Sequence, residues 1–204
     1  MPTFNDIILS ILGRSNIKHA KNNSGNPRIL HISDTPTQFY PELKRIIKAV
    51  DPEYIIHTGD FADNLKIGLY KSSQYKYKVQ VKKLFDILRL SNAKEIVLTL
   101  GNHDAYDFIR EHVEGMTVFE KPAVIELEGK TIALSHYSTD LENVVADIRL
   151  FGHDTKCIED DIACEMDLNG IMAMSLIDLG TLEVSKIDYP IGTDNARLNR
   201  KMGI

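Results

Sequence analysis

The fold is decided by one stretch of sequence, Ile96-Val97-Leu98-Thr99-Leu100-Gly101-Asn102-His103-Asp104. Its apolar and β-branched residues stop at a glycine, and polar side chains follow at once. This pattern predicts a buried strand that delivers Asn102, His103 and Asp104 to one end of a sheet. In open α/β sheets the ligand crevice lies outside the carboxyl ends of the strands, so this end is a candidate site. Asn, Asp and Gly are also common in ordinary turns, and the pattern gains weight only if it recurs.

A strand with a polar end does recur along the chain. Residues 28–33 lead to Asp34, and residues 54–58 lead to Gly59 and Asp60. Helices between and after these strands are predicted from apolar spacing, at residues 41–50, about 75–90 and 105–113. Later strands are predicted at residues 123–127, 131–135, 147–151, 171–177 and 182–187, with two hairpins among them. This order predicts an α/β fold, an open α/β layer sandwich.

Composition limits the classes of partner. The chain has 204 residues and is 43% hydrophobic, enough for one domain with a substantial core and at most an appendage. A net charge of −5 without a long Lys/Arg run argues against nucleic-acid or membrane binding, and favours a small soluble partner. Cys157 and Cys164 form no CxxC pair or disulfide framework, so we expect a cytoplasmic protein.

The first segment predicts a short amphipathic helix, with apolar residues at 4, 7, 8, 11 and 12 and an end at Gly13. It lacks the features of a signal peptide and is too short to span a bilayer. We expect this helix to dock on the domain or on a second subunit, giving a possible homo-oligomer or partner contact. The predicted organisation is residues 1–27 as helix and polar connection, 28–190 as the domain, and 191–204 as a polar tail.

Five predicted strands end in carboxylate, amide or imidazole groups: Asp34; Asp60 and Asp63; Asn102, His103 and Asp104; His136; and His153 and Asp154. Oxygen and imidazole donors form a mixed set that suits borderline divalent ions such as Mn, Fe or Zn. A carboxylate such as Asp60 can bridge two ions roughly 3.5 to 4 Å apart, as in phosphatases and nucleases. The recurrence therefore predicts a site for one or two divalent metal ions.

These motifs make the chain, over about residues 28–187, resemble the calcineurin-like metallophosphoesterase family. Its signature runs Asp-x-His, Gly-Asp-x-x-Asp, Gly-Asn-His-Asp or Glu, a His, and Gly-His-x-His. The resemblance implies a layered β-sandwich core flanked by helices, in a four-layer α/β/β/α fold. It implies that Asp60 bridges two metals and that Asn102, His136 and His153 complete one site. It also implies that Asp34 serves the other site, and that His103 is a general acid paired with Asp63.

Two positions depart from the family pattern. Pro36 stands where the first motif has a metal-binding histidine, and Thr155 stands where the last motif has its second histidine. Both missing imidazoles serve the same metal, so that site keeps only Asp34 and Asp60. The alternatives are that water, Thr155, Gln38 or Asp154 fills the gap, that the site stays vacant until phosphate arrives, or that catalysis has been lost.

Several other residues invite a functional interpretation. His31 and His57 lie three positions before a motif aspartate and hence on the opposite strand face, so we interpret both as hydrogen-bonded core histidines. We interpret Cys157 as a buried small residue. An insertion between the second and third motifs is interpreted as solvated surface, with a substrate lid as the alternative; it carries Tyr70, Lys71, Tyr75, Lys76, Tyr77 and Lys78.

The leading hypothesis is a cytoplasmic, metal-dependent phosphohydrolase that acts on a small phosphomonoester or phosphodiester. Metal-activated water would attack phosphorus, and His103 would protonate the leaving group. The alternative is a single-metal or metal-free scaffold that uses the fold for protein binding. The substrate is not readable from the motifs, because function lies in the site and its loops rather than in the fold.

Overall fold

The computed structural model describes residues 4–18, 20, 24–65, 71–154 and 166–197. Its helices are α1 (Phe4–Ile11), α2 (Tyr40–Val50), α3 (Lys71–Arg89), α4 (Tyr106–Arg110) and α5 (Thr193–Arg197). Its strands are β1 (Arg28–Ile32), β2 (Tyr54–His57), β3 (Glu95–Thr99), β4 (Thr117–Phe119), β5 (Ala123–Leu127), β6 (Lys130–Leu134), β7 (Ile148–Phe151), β8 (Asp167–Asn169), β9 (Met174–Asp178) and β10 (Val184–Ile187). Two 3₁₀ turns occupy Thr37–Phe39 and Ser138–Leu141.

The strands form two sheets. The first has the order β10-β9-β1-β2-β3-β4 and the second the order β5-β6-β7-β8. Neighbours from β1 to β4 are parallel, as are β6 with β7 and β7 with β8. Antiparallel pairs form the two predicted hairpins, β5 with β6 and β9 with β10. Glu128 and Gly129, which join β5 to β6, have φ of 50° and 75°, as a tight hairpin turn of the primed type requires.

Alternate side chains of the strands pack in different layers. Along β1, Ile29 packs between the two sheets, whereas Leu30 packs against the helices α2 and α3. Along β6, Ile132 lies in the core between the sheets, and Ala133 lies in a small outer cluster with Leu141. A parallel sheet covered on both faces explains why β1 and β2 are buried throughout. The predicted α/β fold of two sheets flanked by helices is confirmed.

The apolar face of α1 is exposed. Phe4, Ile7, Ile8, Ile11 and Leu12 are between 40% and 79% exposed. Polar contacts tie the segment to the body, since Ser10 Oγ accepts a hydrogen bond from the backbone of residue 191 and the Ser15 N–H donates to Glu42. The expected docking of this face on the domain is therefore wrong, because periodicity shows which residues share a face but not what covers it. Docking on a second subunit stays a prediction. No helix in the described ranges is both long and apolar enough to cross a membrane.

The end of the chain differs from the expected polar tail. Within its described part, residues 191–197, the helix α5 buries Thr193 and Arg197 against the body. Arg197 is buried through hydrogen bonds to backbone carbonyls. Hydrophobic periodicity in the sequence cannot predict hydrogen bonds between a side chain and distant backbone carbonyls.

Candidate metal centre

Backbone hydrogen bonds join the loops that follow β1 and β2. The Asp34 N–H donates to the Gly59 carbonyl at 3.0 Å, and the Thr35 N–H donates to the Asp60 carbonyl at 3.0 Å. Asp34, Asp60 and His153 have φ of 49°, 57° and 55°. Such left-handed backbone is costly for a non-glycine residue and persists where the surrounding structure enforces it, often at functional sites. The chain therefore turns sharply at three of the predicted site residues.

Four ionisable side chains converge at this edge of the two sheets. Asp34, Asp60, His136 and His153 each place one ligand-capable atom within 4.8 Å of the others. The two aspartates follow β1 and β2 of the first sheet, and the two histidines follow β6 and β7 of the second. The cluster thus exists only when both sheets are assembled.

The hydrogen bonds of His136 determine which ring nitrogen can bind a cation. Its Nδ1 lies 2.7 Å from the Thr58 carbonyl, which only accepts, so Nδ1 carries a proton. Its Nε2 lies 3.1 Å from Asn102 Oδ1 and 3.7 Å from Asp60 Oδ2. These atoms repel one another unless a cation or a further proton lies between them. The donor set and the carbonyl behind the imidazole therefore fit a divalent ion such as Mn, Fe or Zn.

Asp34 is held so that one carboxylate oxygen stays free for a ligand. Its Oδ2 accepts hydrogen bonds from the Ser33 hydroxyl at 2.6 Å and from the His153 N–H at 3.0 Å. Its Oδ1 accepts no hydrogen bond from any described residue. Burial raises the pKa of the Asp34 carboxyl, and neighbouring Asp60 raises it further, although His136 opposes the shift. A bound cation would favour the charged form of this carboxyl.

A second group lies beside the first. Asp60, Asp63 and His103 each place one ligand-capable atom within 4.8 Å of the others. The His103 N–H donates to Asp60 Oδ1 at 3.0 Å, which fixes the backbone that carries the imidazole. Asp63 is buried, whereas His103 is half-buried. The structure thus brings the residues of the predicted acid dyad together next to the predicted metal ligands.

Asp104 links the second and third motifs, a role that the sequence reasoning missed. Its carboxylate accepts hydrogen bonds from the backbone N–H groups of Asp60 at 2.7 Å, Phe61 at 3.0 Å and Gly101 at 2.9 Å. The Tyr77 hydroxyl donates to the same carboxylate at 2.8 Å. Burial and the charge of Asp60 raise the pKa of Asp104 to about 7, against the effect of these hydrogen bonds. The signal in the sequence for this role was the acidic residue, Asp104 itself, at the end of the third motif.

Tyr77 corrects the interpretation of the insertion as solvated surface. Its side chain is 1% exposed, whereas that of Tyr75 is 75% exposed. Tyr77 lies on the buried face of α3 with Val81, and its hydroxyl also accepts from the Ala105 N–H at 3.2 Å. Lys76 and Lys78 are exposed as expected, and Tyr70 with the side chain of Lys71 lies outside the described residues.

Gly59 and Gly101 allow two motif loops to touch. A Cβ on Gly59 would lie 2.5 Å from the Gly101 nitrogen and 2.7 Å from His136 Nδ1. A Cβ on Gly101 would overlap Asp60 Oδ1. Larger residues at either position would therefore displace a predicted ligand.

The interpretation of His31 and His57 as core histidines is confirmed. Both are fully buried, and each bonds through Nε2 to a threonine hydroxyl, Thr58 at 3.0 Å for His31 and Thr35 at 2.8 Å for His57. Burial lowers the pKa of His31 to about 3 and lowers that of His57 as well. These neutral side chains support the loops and do not join the metal cluster.

Of the replacements considered for the missing imidazoles, Asp154 and Gln38 lie in the described part of the chain. Asp154 Oδ2 accepts hydrogen bonds from the Ser138 N–H at 3.0 Å and the Ser138 hydroxyl at 2.5 Å. Gln38 lines a surface groove with Gly13 and Ala196. Thr155 and Cys157 lie outside the described residues.

The fold and the site define a two-sheet α/β protein with a carboxylate–imidazole centre at its strand ends. The chain belongs to the calcineurin-like phosphoesterase family, whose model matches residues 27–173. A search of curated protein sequences found no match.

Solved structures resemble the fold at low sequence identity. Yfce, a phosphoesterase from E. coli, is 14% identical with a TM-score of 0.53, over 80% of this chain and 99% of that one. A protein of unknown function from Aquifex aeolicus is 20% identical with a TM-score of 0.41, over 71% of this chain and 90% of that one. The likeness to the phosphoesterase supports the fold.

Proposed function

We propose that the protein is a metal-dependent phosphohydrolase that cleaves a small phosphomonoester or phosphodiester. The observation that carries the proposal is the convergence of two clusters that share Asp60, one suited to a cation and one containing His103. Membership of the calcineurin-like phosphoesterase family supports this reaction class. The net charge of −5 favours a small substrate over nucleic acid.

In this proposal, Asp60, Asn102, His136 and His153 hold the first ion, and Asp34 with Asp60 offers a weaker second position. When bound, a divalent ion polarises the phosphoryl group and supplies a nucleophilic water at neutral pH. Thr58 keeps the proton of His136 on Nδ1 through its carbonyl, so that Nε2 remains a ligand. Asp104 holds the backbone of Asp60 in place while charge develops on the substrate.

Proton transfer to the leaving group falls to His103. Its imidazole is half-buried, so it can reach a bound substrate and the solvent. Asp63 lies close enough to orient the ring and to stabilise its charged form. Because the backbone of His103 is bonded to Asp60, the acid keeps a fixed relation to the predicted metal ligands.

The first experiment is turnover of chromogenic mono- and diesters by protein stripped of metal and then supplied with Mn²⁺, Fe²⁺ or Zn²⁺. We expect no turnover without metal and restored turnover with at least one ion. A protein that binds metal but hydrolyses neither ester class would support the scaffold alternative. A protein that binds no metal would exclude the proposed mechanism.

The departures at Pro36 and Thr155 predict unequal metal affinities. Compared with the family pattern, the position at Asp34 and Asp60 lacks two neutral nitrogen donors, which weakens its metal affinity. We therefore expect about one tightly bound ion per chain after purification. Changing Pro36→His and Thr155→His together should strengthen the second position and raise turnover at low metal, while either change alone should not suffice. Metal analysis and metal-activation curves measure this. Two tightly bound ions in the unchanged protein would contradict it.

A further inference from the structure

Arg197 is a buried arginine at the end of α5, beyond the segment that the family model matches. Its side chain is 3% exposed, and its guanidinium lies 4.1 Å from the centre of the Tyr189 ring. Its Nε donates to the Asp34 carbonyl at 2.7 Å, and its Nη1 donates to the Ile171 carbonyl at 2.7 Å and to Asp194 at 2.9 Å. Burial of a permanent charge is costly unless the charge is paired and hydrogen-bonded, and these contacts supply that compensation.

Tyr189 contacts the residue before Asp34, which is Ser33. Its hydroxyl lies 2.7 Å from the Gly170 carbonyl and 3.4 Å from the Ser33 carbonyl, so it reaches the loop after β1. The ring packs edge-on against Phe39, with 5.1 Å between the ring centres. Arg197 therefore holds the Asp34 carbonyl from the C-terminal side of the chain, and Tyr189, bonded mainly to the Gly170 carbonyl, makes a weaker contact with the Ser33 carbonyl beside it.

With Arg197 in place, Asp34 is fixed at every polar atom except one. Its N–H donates to Gly59, its carbonyl accepts from Arg197, and its Oδ2 accepts from Ser33 and His153. The residue has a φ of 49°, a conformation that relaxes easily unless its neighbours enforce it. The remaining atom, Oδ1, accepts no hydrogen bond from the described residues.

We propose that Arg197 is a positioning residue of the metal centre, which holds the Asp34 carbonyl and thereby keeps the Asp34 carboxylate at the cluster. The inference rests on the proposed function in one respect, that a divalent ion binds at Asp34. It adds that the chain beyond residue 173, which the family model does not cover, is needed for full metal affinity. Such support matters most where Pro36 and Thr155 have removed two other ligands from the same position.

The test compares Arg197→Met and Arg197→Lys with Arg28→Met as a matched control. Arg28 is also buried and also donates to two backbone carbonyls, those of Ala20 and Val50, but it begins β1 at the end opposite to Asp34. Metal-free forms of all variants are titrated with Mn²⁺ and with Zn²⁺ by calorimetry, and their thermal unfolding is measured. Neither measurement needs a substrate.

We expect both methionine variants to lower the unfolding temperature. Only Arg197→Met should weaken binding of the second ion, the one assigned to Asp34 and Asp60, by about 10- to 100-fold, as for other outer partners of metal ligands. Arg197→Lys should lie between wild type and Arg197→Met. If Arg197→Met does not fold, Arg197→Lys and Tyr189→Phe replace it, each with a smaller loss of affinity. Wild-type affinity in the folded Arg197 and Tyr189 variants, or an equal loss in Arg28→Met, would overturn the inference. Absence of metal binding in wild type would instead overturn the proposed function on which it rests.

Discussion

Replacing His136 with alanine is expected to remove the bound divalent ion and, with it, phosphoesterase turnover. His136 is buried, its Nδ1 is committed to the Thr58 carbonyl, and its Nε2 faces the oxygens of two other predicted ligands. The imidazole beside it, that of His153 with 5.0 Å between the ring centres, is itself an assigned ligand and so cannot take its place. We expect metal affinity to fall by more than the roughly 100-fold that loss of an outer partner can cost. Elemental analysis and turnover assays of the purified variant measure both effects.

His153→Ala should give the same result, because it belongs to the same cluster. His112→Ala is the control: this half-buried histidine bonds through Nδ1 to the Phe108 carbonyl at 2.7 Å and lies outside both clusters. It should keep its metal and its turnover. Unchanged metal content in both His136→Ala and His153→Ala would remove the ligand assignment.

His103→Ala is expected to lower turnover by roughly 10²- to 10⁴-fold, the usual range for a general acid, with metal content kept. The physical reason is that a poor leaving group departs as an unstable anion unless a proton reaches it in the transition state. The measurement is kcat for a phenyl ester and for a 4-nitrophenyl ester of the same phosphate, together with metal analysis.

The leaving group separates proton donation from a structural effect of His103→Ala. The 4-nitrophenyl ester, whose leaving group is more acidic, should lose much less rate than the phenyl ester. Asp63→Asn should reproduce this selectivity with a smaller loss, because the imidazole remains but its orienting charge is gone. Equal losses on both esters would refute the general-acid assignment, and loss of the ion would show that His103 is itself a ligand.

The fold and most of the candidate site could be predicted because their signals are local in sequence. Each motif follows a run of apolar residues, and the side chain after that run must lie at a strand end. Strands β1, β2, β3, β6 and β7 all followed this rule. Strands β4 and β8 did not, since each has three residues and is too short to show alternation.

What could not be predicted depends on contacts between distant residues. Asp104 acts through backbone N–H groups of the neighbouring loop, and Arg197 through carbonyls of the loop after β1 and of the segment before β9. Tyr77 was misassigned because a tyrosine among lysines looks solvated until its helix is oriented. Asp104 and Arg197 are bonded by polar groups, and hydrophobic periodicity contains no information about them. Tyr77, in contrast, continues the apolar stripe of Val81 and Leu84 on α3, so its burial could have been predicted from the helical spacing.

The distribution of the ligands over both sheets affects when the protein can first bind metal during folding. Asp34 and His153 touch although they are 119 residues apart, so the site forms only after long loops have closed. An ion then gains few contacts in the folding transition state and stabilises mainly the finished molecule. For the divalent ion proposed above, we therefore expect added metal to lower the unfolding rate and to leave the folding rate nearly unchanged.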